Sequence, residues 1–239
     1  MSEMKTAIVT GASNGIGKAI ALKLASLNYA MVVIGRSERH LAAIKETIED
    51  MGSPCLTLAI DLSEEETPEI IVHETLTRFG RIDLLVNNAG LAHSGPISET
   101  DFETWNKIFK VNARAPFFLS KAAIPFLKKN ENPIIINISS VVGFKGYAGQ
   151  AAYASSKHAL TGFTKVLAKE VQGDGIKVHL ISPGGVNTEM VQEMRPDIDS
   201  EQLIQPEEIA ELVQFLVTRK GKGTIDHFYI RRQSGLAFD

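Results

Sequence analysis

A tyrosine and a lysine lie four residues apart in the segment Tyr153-Ala154-Ser155-Ser156-Lys157. On an α-helix this spacing places both side chains on one face. A tyrosine beside a fixed ammonium loses its proton more readily than free tyrosine, whose pKa is about 10. Such a pair suits proton transfer to a carbonyl or from an alcohol. The spacing also fits an exposed helix face, so its meaning depends on the surrounding elements.

Those elements can be read from the hydrophobic pattern. Short β-branched runs alternate with longer amphipathic stretches, and several of the runs are nearly all apolar, as in parallel strands covered on both faces. The pattern predicts an α/β fold, a single Rossmann-type doubly wound parallel sheet of about seven strands over residues 1–239. The predicted strands are Lys5–Thr10, Ala30–Gly35, Pro54–Ile60, Ile82–Val86, Pro133–Ile138, Ile176–Ser182 and Ile225–Ile230.

Six helices are predicted between these strands. The third has a candidate start, because Ser63 is a favourable N-cap and Glu66 stands at the capping-box position. Pro206 favours the first turn of the last helix. The predicted helices lie near residues 15–28, 38–51, 64–79, 101–129, 152–172 and 206–218.

The least regular stretch, 189–205, follows the sixth predicted strand and contains Met190, Met194 and Pro196. Ligands of open α/β sheets bind beyond the carboxyl ends of the strands. We therefore predict that 189–205 is a substrate lid, and an ordinary connecting loop is the alternative.

Composition argues against several classes of function. The formal net charge of −3 gives no electrostatic reason to expect a nucleic-acid partner. No apolar run approaches the ~18 residues that span a bilayer, so no membrane partner is expected. Met4-Lys5 leads into the first strand without a signal-peptide core, and Cys55 is the lone cysteine, which together predict a cytoplasmic protein. The six histidines form no metal-like cluster, and no metal is predicted.

A glycine-rich turn follows the first predicted strand, in Thr10-Gly11-Ala12-Ser13-Asn14-Gly15-Ile16-Gly17. Glycines at a strand–helix junction allow a tight turn and the close approach of a pyrophosphate to the helix N-terminus. A P-loop is excluded, because Ala12 stands where its first glycine should be and Ala19 where a metal-binding Ser or Thr should be.

The end of the second strand bears on the choice of cofactor. An acidic residue ~20 positions after the glycines would bind the adenine ribose of NAD. This chain has Arg36 there, 19 residues after Gly17, and a guanidinium suits a 2′-phosphate. The sequence therefore favours NADP(H) over NAD(H), although a solvated arginine at a helix start is the alternative.

Several motifs of this chain form a recognisable set. In order along the sequence they are Thr10–Gly17, Asn87-Asn88-Ala89-Gly90, Asn112, Ser140, Tyr153-x-x-x-Lys157 and Pro183-Gly184. Taken together, they resemble the short-chain dehydrogenase/reductase family, because they stand in the family's order and near its spacings. The resemblance covers about residues 5–188 and extends more loosely to Ile230.

The resemblance implies a catalytic role for four residues. Tyr153 would exchange a proton with the substrate oxygen, and Lys157 would lower the pKa of that tyrosine and hold the nicotinamide ribose. Ser140 would polarise the substrate oxygen, and Ser139 is the less favoured alternative. Asn112 would support a water relay to Lys157, unless it is simply a satisfied surface amide.

The resemblance also implies the cofactor contacts. The glycine turn would hold the phosphates, Asp61 and Leu62 the adenine, the 88–90 segment the ribose, and the segment after the sixth strand the nicotinamide. The implied residues are Gly11, Ser13, Asn14, Gly15, Ile16, Gly17, Arg36, Asp61, Leu62, Asn88, Ala89, Gly90, Tyr153, Lys157, Pro183, Gly184, Val186 and Thr188.

The run Asn137–Gly143 most resembles the 3-oxoacyl-acyl-carrier-protein reductase branch of the family. The expected reaction interconverts a small-molecule ketone and a secondary alcohol, with a sugar-alcohol or small-alcohol dehydrogenase as the alternative. A non-catalytic nucleotide sensor would be expected to lack one of Ser140, Tyr153 and Lys157. A nucleotide-sugar epimerase or dehydratase would need a larger C-terminal domain.

The family implies a homodimer or homotetramer in which two long helices form a bundle between subunits. Four alanines would permit close packing there, or equally packing on their own sheet: Ala113, Ala115, Ala122 and Ala123. The C-terminal tail, 231–239, lacks the family's common Asp-Gly-Gly turn. Lys128-Lys129 or Arg231-Arg232 could dock an acidic carrier protein, although such pairs are usually solvated charge.

Overall fold

The computed structural model describes residues 4–194 and 198–235 and contains one seven-stranded parallel sheet within those ranges. The strands are β1 (Thr6–Thr10), β2 (Ala30–Gly35), β3 (Cys55–Ala59), β4 (Leu84–Asn87), β5 (Ile134–Ile138), β6 (Lys177–Pro183) and β7 (His227–Ile230). Their order in the sheet is β3-β2-β1-β4-β5-β6-β7. The doubly wound fold predicted from the sequence is confirmed.

Helices cover both faces of this sheet, because the buried side chains of each strand alternate between two apolar layers. The helices are α1 (Gly15–Ser26), α2 (Glu38–Asp50), α3 (Thr67–Phe79), α4 (Phe102–Phe109), α5 (Ala115–Leu127), α6 (Ala151–Val171), α7 (Glu189–Met194) and α8 (Pro206–Thr218). Ala7 and Val9 belong to the layer formed with α1, α2 and α8, whereas Ile8 belongs to the layer formed with α3, α5 and α6. None of the helices in the described ranges has the length and apolarity needed to cross a membrane.

The predicted helix 101–129 is not one regular α-helix. It divides into α4 and α5, which are joined by a π-helical segment over Lys110–Arg114. The hydrophobic pattern carries through all three pieces, so periodicity alone did not reveal the change of pitch. The π segment places Asn112 in the core, where its side chain is fully buried.

The predicted start of the third helix is wrong. The helix begins at Thr67, and Glu66 occupies the N-cap without a side-chain capping bond. Ser63 instead lies in a turn, where its backbone N–H donates to Asp61 Oδ1 at 2.8 Å. The Asp61 side chain thus accepts a hydrogen bond from a backbone N–H within this turn, and the helix begins only after it, at Thr67.

The stretch 189–205 is more regular than its sequence suggests. It begins with α7 and includes a 3₁₀ turn over Ser200–Gln202. A parallel bridge joins Val186 to Ile204 and anchors the segment near β6. Pro196, one of the residues that marked the predicted lid, lies outside the described residues.

Candidate active site

A cleft opens at the carboxyl ends of the strands, where the chain reverses its direction of winding. β1 pairs with both β2 and β4, so the connections that leave β1 and β4 diverge to opposite faces of the sheet. Open α/β sheets bind their ligands at such a switch point. The cleft has a volume of about 580 Å³.

The glycine turn forms one wall of the cleft, and its backbone requires glycine. Gly11 and Gly15 have positive φ angles of 65° and 52°, a region that side-chain-bearing residues rarely adopt. A Cβ at Gly11 would lie 2.7 Å from Ala89 Cα. Asn88 Nδ2 donates to the Thr10 and Gly11 carbonyls at 2.9 and 3.1 Å, which ties this turn to the end of β4.

Most of the cofactor residues implied by the family resemblance line this cleft. Those that do are Gly11, Ser13, Asn14, Gly15, Ile16, Arg36, Asp61, Leu62, Asn88, Ala89, Gly90, Tyr153, Lys157 and Thr188.

Four of the implied residues lie outside the lining. Gly17 is buried against Gly11, and Val186 is buried in the core. Pro183 and Gly184 lie beside β7, where the Gly184 N–H donates to the Ile230 carbonyl at 2.7 Å. These residues therefore support the wall of the cleft rather than form its surface.

The cleft is also lined by charged and polar residues that the sequence reasoning missed: Ser37, His40, Lys107, Glu189 and Glu193. Ser37 accepts a hydrogen bond from the His40 backbone N–H at 3.3 Å and so caps α2. A side chain at the N-cap and one in the first helical turn lie at the same helix end. Because Arg36 precedes Ser37 in the sequence, it could have identified Ser37 and His40 as residues of the cleft.

Asp61 lies near Arg36 at the β2–β3 end of the cleft. The pKa of the Asp61 carboxyl is lowered chiefly by the hydrogen bond from the Ser63 backbone N–H, and the positive charge of Arg36 adds a smaller lowering effect. Asp61 is therefore ionised at neutral pH, and Arg36 faces a carboxylate within the same end of the cleft.

The Tyr153 and Lys157 side chains project from α6 into the opposite end of the cleft. Tyr153 is hydrogen-bonded to the Ser140 side chain. Ser140 lies two residues beyond the end of β5. Its hydroxyl oxygen lies 3.4 Å from the Pro183 carbonyl oxygen and accepts a hydrogen bond from the Val142 N–H at 3.3 Å. The structure thus brings these three predicted residues together.

Lys157 is almost fully buried, with 4% of its surface exposed. Its Nζ donates to the Ile138 carbonyl at 3.0 Å and lies 5.9 Å from the centre of the Tyr153 ring. Burial lowers the pKa of the Lys157 ammonium to about 8, because an apolar environment disfavours the charged form.

The influences on the pKa of the Tyr153 phenol differ from those that the sequence predicts. The sequence argument has Lys157 lowering the phenol pKa, whereas burial raises the pKa of Tyr153, and its one lowering influence is the hydrogen bond with Ser140. The reason is geometric, since Lys157 is directed at the Ile138 carbonyl rather than at the phenol oxygen.

Ser139, the alternative to Ser140, lines the cleft, and Ser140 does not. The Ser139 hydroxyl is nevertheless directed elsewhere. Ser139 Oγ lies 3.1 Å from Thr161 Oγ1 and 3.4 Å from the Lys157 carbonyl. Both partners belong to α6, so Ser139 fastens that helix to the end of β5. The hydrogen bond with Tyr153 favours Ser140 for work on the substrate.

Asn112 joins three parts of the site through its amide. Its Nδ2 donates to the Leu91 carbonyl at 2.8 Å and to Ser156 Oγ at 2.9 Å, and its Oδ1 accepts from the Leu91 N–H at 2.7 Å. The alternative of a surface amide is wrong, because the side chain is fully buried. A Cβ at Gly90 would lie 3.5 Å from both Asn112 Oδ1 and Lys157 Nζ, which shows how near the two groups are.

A buried polar ladder that sequence reasoning did not identify lies beneath the cleft. Asn87 Nδ2 donates to Asn137 Oδ1 at 2.8 Å and to Ser120 Oγ at 3.2 Å, and Asn137 Nδ2 donates to Thr164 Oγ1 at 2.8 Å. Asn87 and Asn137 stand opposite each other on β4 and β5. The ladder therefore connects α5, the two strands and α6, the helix that carries Tyr153.

Comparisons with known proteins find similar sequences and similar folds over most of this chain. A family model described as short chain dehydrogenase matches residues 5–199. A short chain dehydrogenase of Pseudocercospora fijiensis is 38% identical over 188 residues, which are 78% of this chain and 61% of that protein, less than two thirds of its length. The 3-oxoacyl-[acyl-carrier-protein] reductase FabG of Vibrio cholerae is 37% identical over 224 residues, 90% of this chain and 91% of the relative. The crystal structure of a metagenomic short-chain oxidoreductase in complex with NADP has a TM-score of 0.85 and 33% identity, and the match covers 98% of this chain and 100% of that one.

Proposed function

Because this chain belongs to the short-chain dehydrogenase family of oxidoreductases, we propose that it interconverts a ketone and a secondary alcohol by hydride transfer with NADP(H). The observation that carries this proposal is the Ser140–Tyr153 hydrogen bond beside the buried Lys157, in the same cleft as the glycine turn. The cleft therefore combines a proton-transfer group, Tyr153, with a glycine turn suited to a dinucleotide.

The residues of the cleft fit a nicotinamide dinucleotide. A volume of about 580 Å³ lies within the range of roughly 300–1,000 Å³ that is usual for small-molecule sites. Gly11 and Gly15 keep the turn free of side chains, and the buried Ser13 hydroxyl beside them has no hydrogen-bond partner among the described residues. This turn and the N-terminus of α1 would hold the pyrophosphate, and Arg36 would hold the 2′-phosphate. When bound, the nicotinamide supplies or accepts the hydride.

The protein's own part in the reaction is to handle one proton. In the reducing direction, the Tyr153 hydroxyl donates its proton to the substrate oxygen, and Ser140 donates a hydrogen bond that polarises the same oxygen. The hydrogen bond with Ser140 lowers the pKa of Tyr153 and so stabilises the phenolate that remains, and the Lys157 ammonium would hold the nicotinamide ribose. In the oxidising direction the same groups act in reverse.

The relatives support a finer proposal for the substrate, a 3-oxoacyl thioester. The 3-oxoacyl-[acyl-carrier-protein] reductase of Vibrio cholerae matches 90% of this chain. The candidate docking charges for an acidic carrier protein are the exposed pair Lys128-Lys129 and the pair Arg231-Arg232, in which Arg231 is exposed and Arg232 is half-buried. A small alcohol or a sugar alcohol is the alternative substrate class.

The proposal is tested by following NADPH consumption with acetoacetyl thioesters, diketones, quinones and ketosugars. Turnover that is fastest with the thioester supports the finer proposal, whereas a preference for a diketone or a ketosugar supports the alternative. The absence of both turnover and binding of either nicotinamide cofactor would refute the proposed function.

The role of Tyr153 is tested by Tyr153→Phe, which removes the hydroxyl and keeps the ring. We expect kcat to fall by a factor of roughly 10²–10⁴, the usual contribution of a general acid, while the Kd for NADPH stays within about twofold of wild type. Tyr147→Phe is the matched control, because Tyr147 is 45% exposed and does not line the cleft. A Tyr153→Phe variant with near wild-type kcat would show that another group transfers the proton.

A further inference from the structure

One helix lines the cleft with two carboxylates. α7 presents Glu189 and Glu193 to it beyond β6, whereas at the far end the Asp61 carboxylate lies near the Arg36 guanidinium, which offsets its charge. These two glutamates are four residues apart and so share one face of the helix. A dinucleotide is anionic at its pyrophosphate, so α7 confronts the proposed cofactor with like charge.

Glu189 also makes a direct contact with the glycine turn. Asn14 Nδ2 donates a hydrogen bond to Glu189 Oε2 at 2.8 Å, across 175 positions of sequence. Asn14 immediately precedes α1, yet its side chain makes no capping bond to that helix. The Asn14 amide is therefore engaged by α7 rather than by its own helix.

The neighbour of Glu189 fixes the position of this contact. A Cβ at Gly15 would lie 2.8 Å from Thr188 Cγ2, so the residue before α7 sits tightly against the turn. The Asn187 N–H donates to the Ile204 carbonyl at 2.8 Å and holds the chain from behind. The Glu189 carboxylate is thus held beside the N-terminal end of α1.

We propose that Glu189 is an affinity-determining residue for the cofactor, because its carboxylate binds Asn14 and competes with the pyrophosphate for the N-terminal end of α1. The inference rests on the proposed NADP(H) function. A carboxylate is stabilised near a helix N-terminus for the same electrostatic reason as a phosphate. Two anions cannot share that position without repulsion, so cofactor binding has to separate Asn14 from Glu189.

The competition links cofactor binding to the position of α7. Met190 and Met194 line the cleft from the same six-residue helix. Displacement of Glu189 therefore moves the two methionines as well, and they are flexible side chains that adapt readily to a new packing arrangement. Entry of the cofactor thereby reshapes the apolar wall of the cleft.

The test compares the Kd for NADPH of the full-length protein with those of Glu189→Gln, Glu189→Ala and the control Glu201→Gln. Glu201 is an exposed acid in the 3₁₀ turn of the same segment and does not line the cleft. We expect both Glu189 variants to bind NADPH about three- to tenfold more tightly at low salt, the scale of one charge–charge repulsion near a surface. The gain should shrink at high ionic strength, because salt screens the repulsion, and the control should match wild type.

The isosteric Glu189→Gln variant keeps the volume and hydrogen-bonding capacity of the side chain, so a folding defect in the alanine variant would not obscure the result. Equal or weaker NADPH binding by folded Glu189→Gln, together with binding by wild type, would overturn this inference and leave the proposed function intact. Failure of wild type to bind either NADPH or NADH would refute the proposed function and this inference with it.

Discussion

Burial acts in opposite directions on the pKa values of the two titratable groups that face the substrate end of the cleft. It raises the pKa of the Tyr153 phenol and lowers that of the Lys157 ammonium to about 8. Both shifts favour the neutral form, as expected where charges are poorly solvated. Tyr153 is therefore held as a proton donor at neutral pH. Of these two groups, Lys157 is the one whose pKa lies nearer to physiological pH.

This difference predicts the pH dependence of ketone reduction. Lys157 is protonated below its pKa of about 8 and neutral above it, so the ammonium that would hold the nicotinamide ribose is lost as the pH rises. We expect kcat/KM for reduction to be constant below about pH 7 and to fall above about pH 8, since kcat/KM reports on the free enzyme. Initial rates from pH 6 to 10 test this, and a flat profile over that range would contradict the role assigned to Lys157.

Arg36 should determine the preference between the two nicotinamide cofactors. A charge-assisted hydrogen bond contributes about 1.5–3 kcal/mol, so Arg36→Ala should lower the ratio of kcat/KM for NADPH to that for NADH by roughly 10–100-fold. Arg39→Ala is the control, because Arg39 is exposed on α2 and lies outside the cleft lining. An unchanged ratio in Arg36→Ala would show that other groups recognise the 2′-phosphate.

At the residue scale, the sequence identified groups whose chemistry depends on type and spacing. Tyr153 and Lys157 needed only helical periodicity to share a face. Their pKa values could not be predicted, because burial and the direction of the Lys157 side chain depend on residues distant in sequence. Glu189 was missed for the same reason, since its partner Asn14 lies 175 positions away.

At the scale of elements, the π-helical segment between α4 and α5 gives Asn112 its position. A π-helix inserts one residue into an α-helix and turns the following side chains around the axis. Asn112 is thereby directed inward, where its amide bonds both backbone groups of Leu91 and the hydroxyl of Ser156. The segment so ties the loop after β4 to α6.

Asn112→Ala should therefore destabilise the fold as well as impair activity. The N–H and carbonyl of the half-buried Leu91 would lose their bonds to the amide, and an unsatisfied group costs about 1–3 kcal/mol when it is fully buried. Because water reaches part of Leu91, we expect the free energy of unfolding to fall by about 1–3 kcal/mol in urea denaturation. Asn106→Ala is the control, because Asn106 is exposed on α4 and surface changes usually stay within about 0.5 kcal/mol. Equal stability of the two variants would mean that the Asn112 bonds do not hold the loop.

The elements themselves were largely predictable, and their boundaries were less so. All seven strands were identified, because apolar runs between helical stretches are a strong signal. The start of α3 and the break at Lys110–Arg114 were missed. The start of α3 depends on a local turn, in which Asp61 bonds Ser63 and competes with the predicted cap, whereas the change at Lys110–Arg114 involves a bond between Asn112 and the distant Leu91.

At the scale of the whole molecule, apolar side chains remain exposed on α5 and α6. Phe117, Phe118 and Val166 are 45%, 42% and 54% exposed, whereas Ala115 and Ala123 are buried in the protein's own core. The alternative that the alanines pack on their own sheet therefore holds for these two. The aromatic side chains of α5, rather than these alanines, are the surface available to a second copy of this chain.

We propose that this face forms a homodimer or homotetramer, and the prediction is tested by Phe118→Glu. Wild type should sediment as a dimer or a tetramer, and the variant should dissociate, because a carboxylate cannot be buried unpaired in an apolar interface. Met51→Glu is the control, since Met51 is equally exposed, at 42%, but follows α2 on another part of the surface. A monomeric wild type would contradict the proposal.

The pairing of β1 with β4 has a consequence for how the protein folds. Thr6 donates its backbone N–H to Asp83 across 77 positions of sequence, so the two halves of the cleft meet through contacts of long range. Closing a loop of this length costs entropy before any contact compensates for it, and such contacts slow folding. The cleft should consequently be among the last features to form, and an N-terminal fragment that ends before β4 should retain little affinity for dinucleotides despite its intact glycine turn.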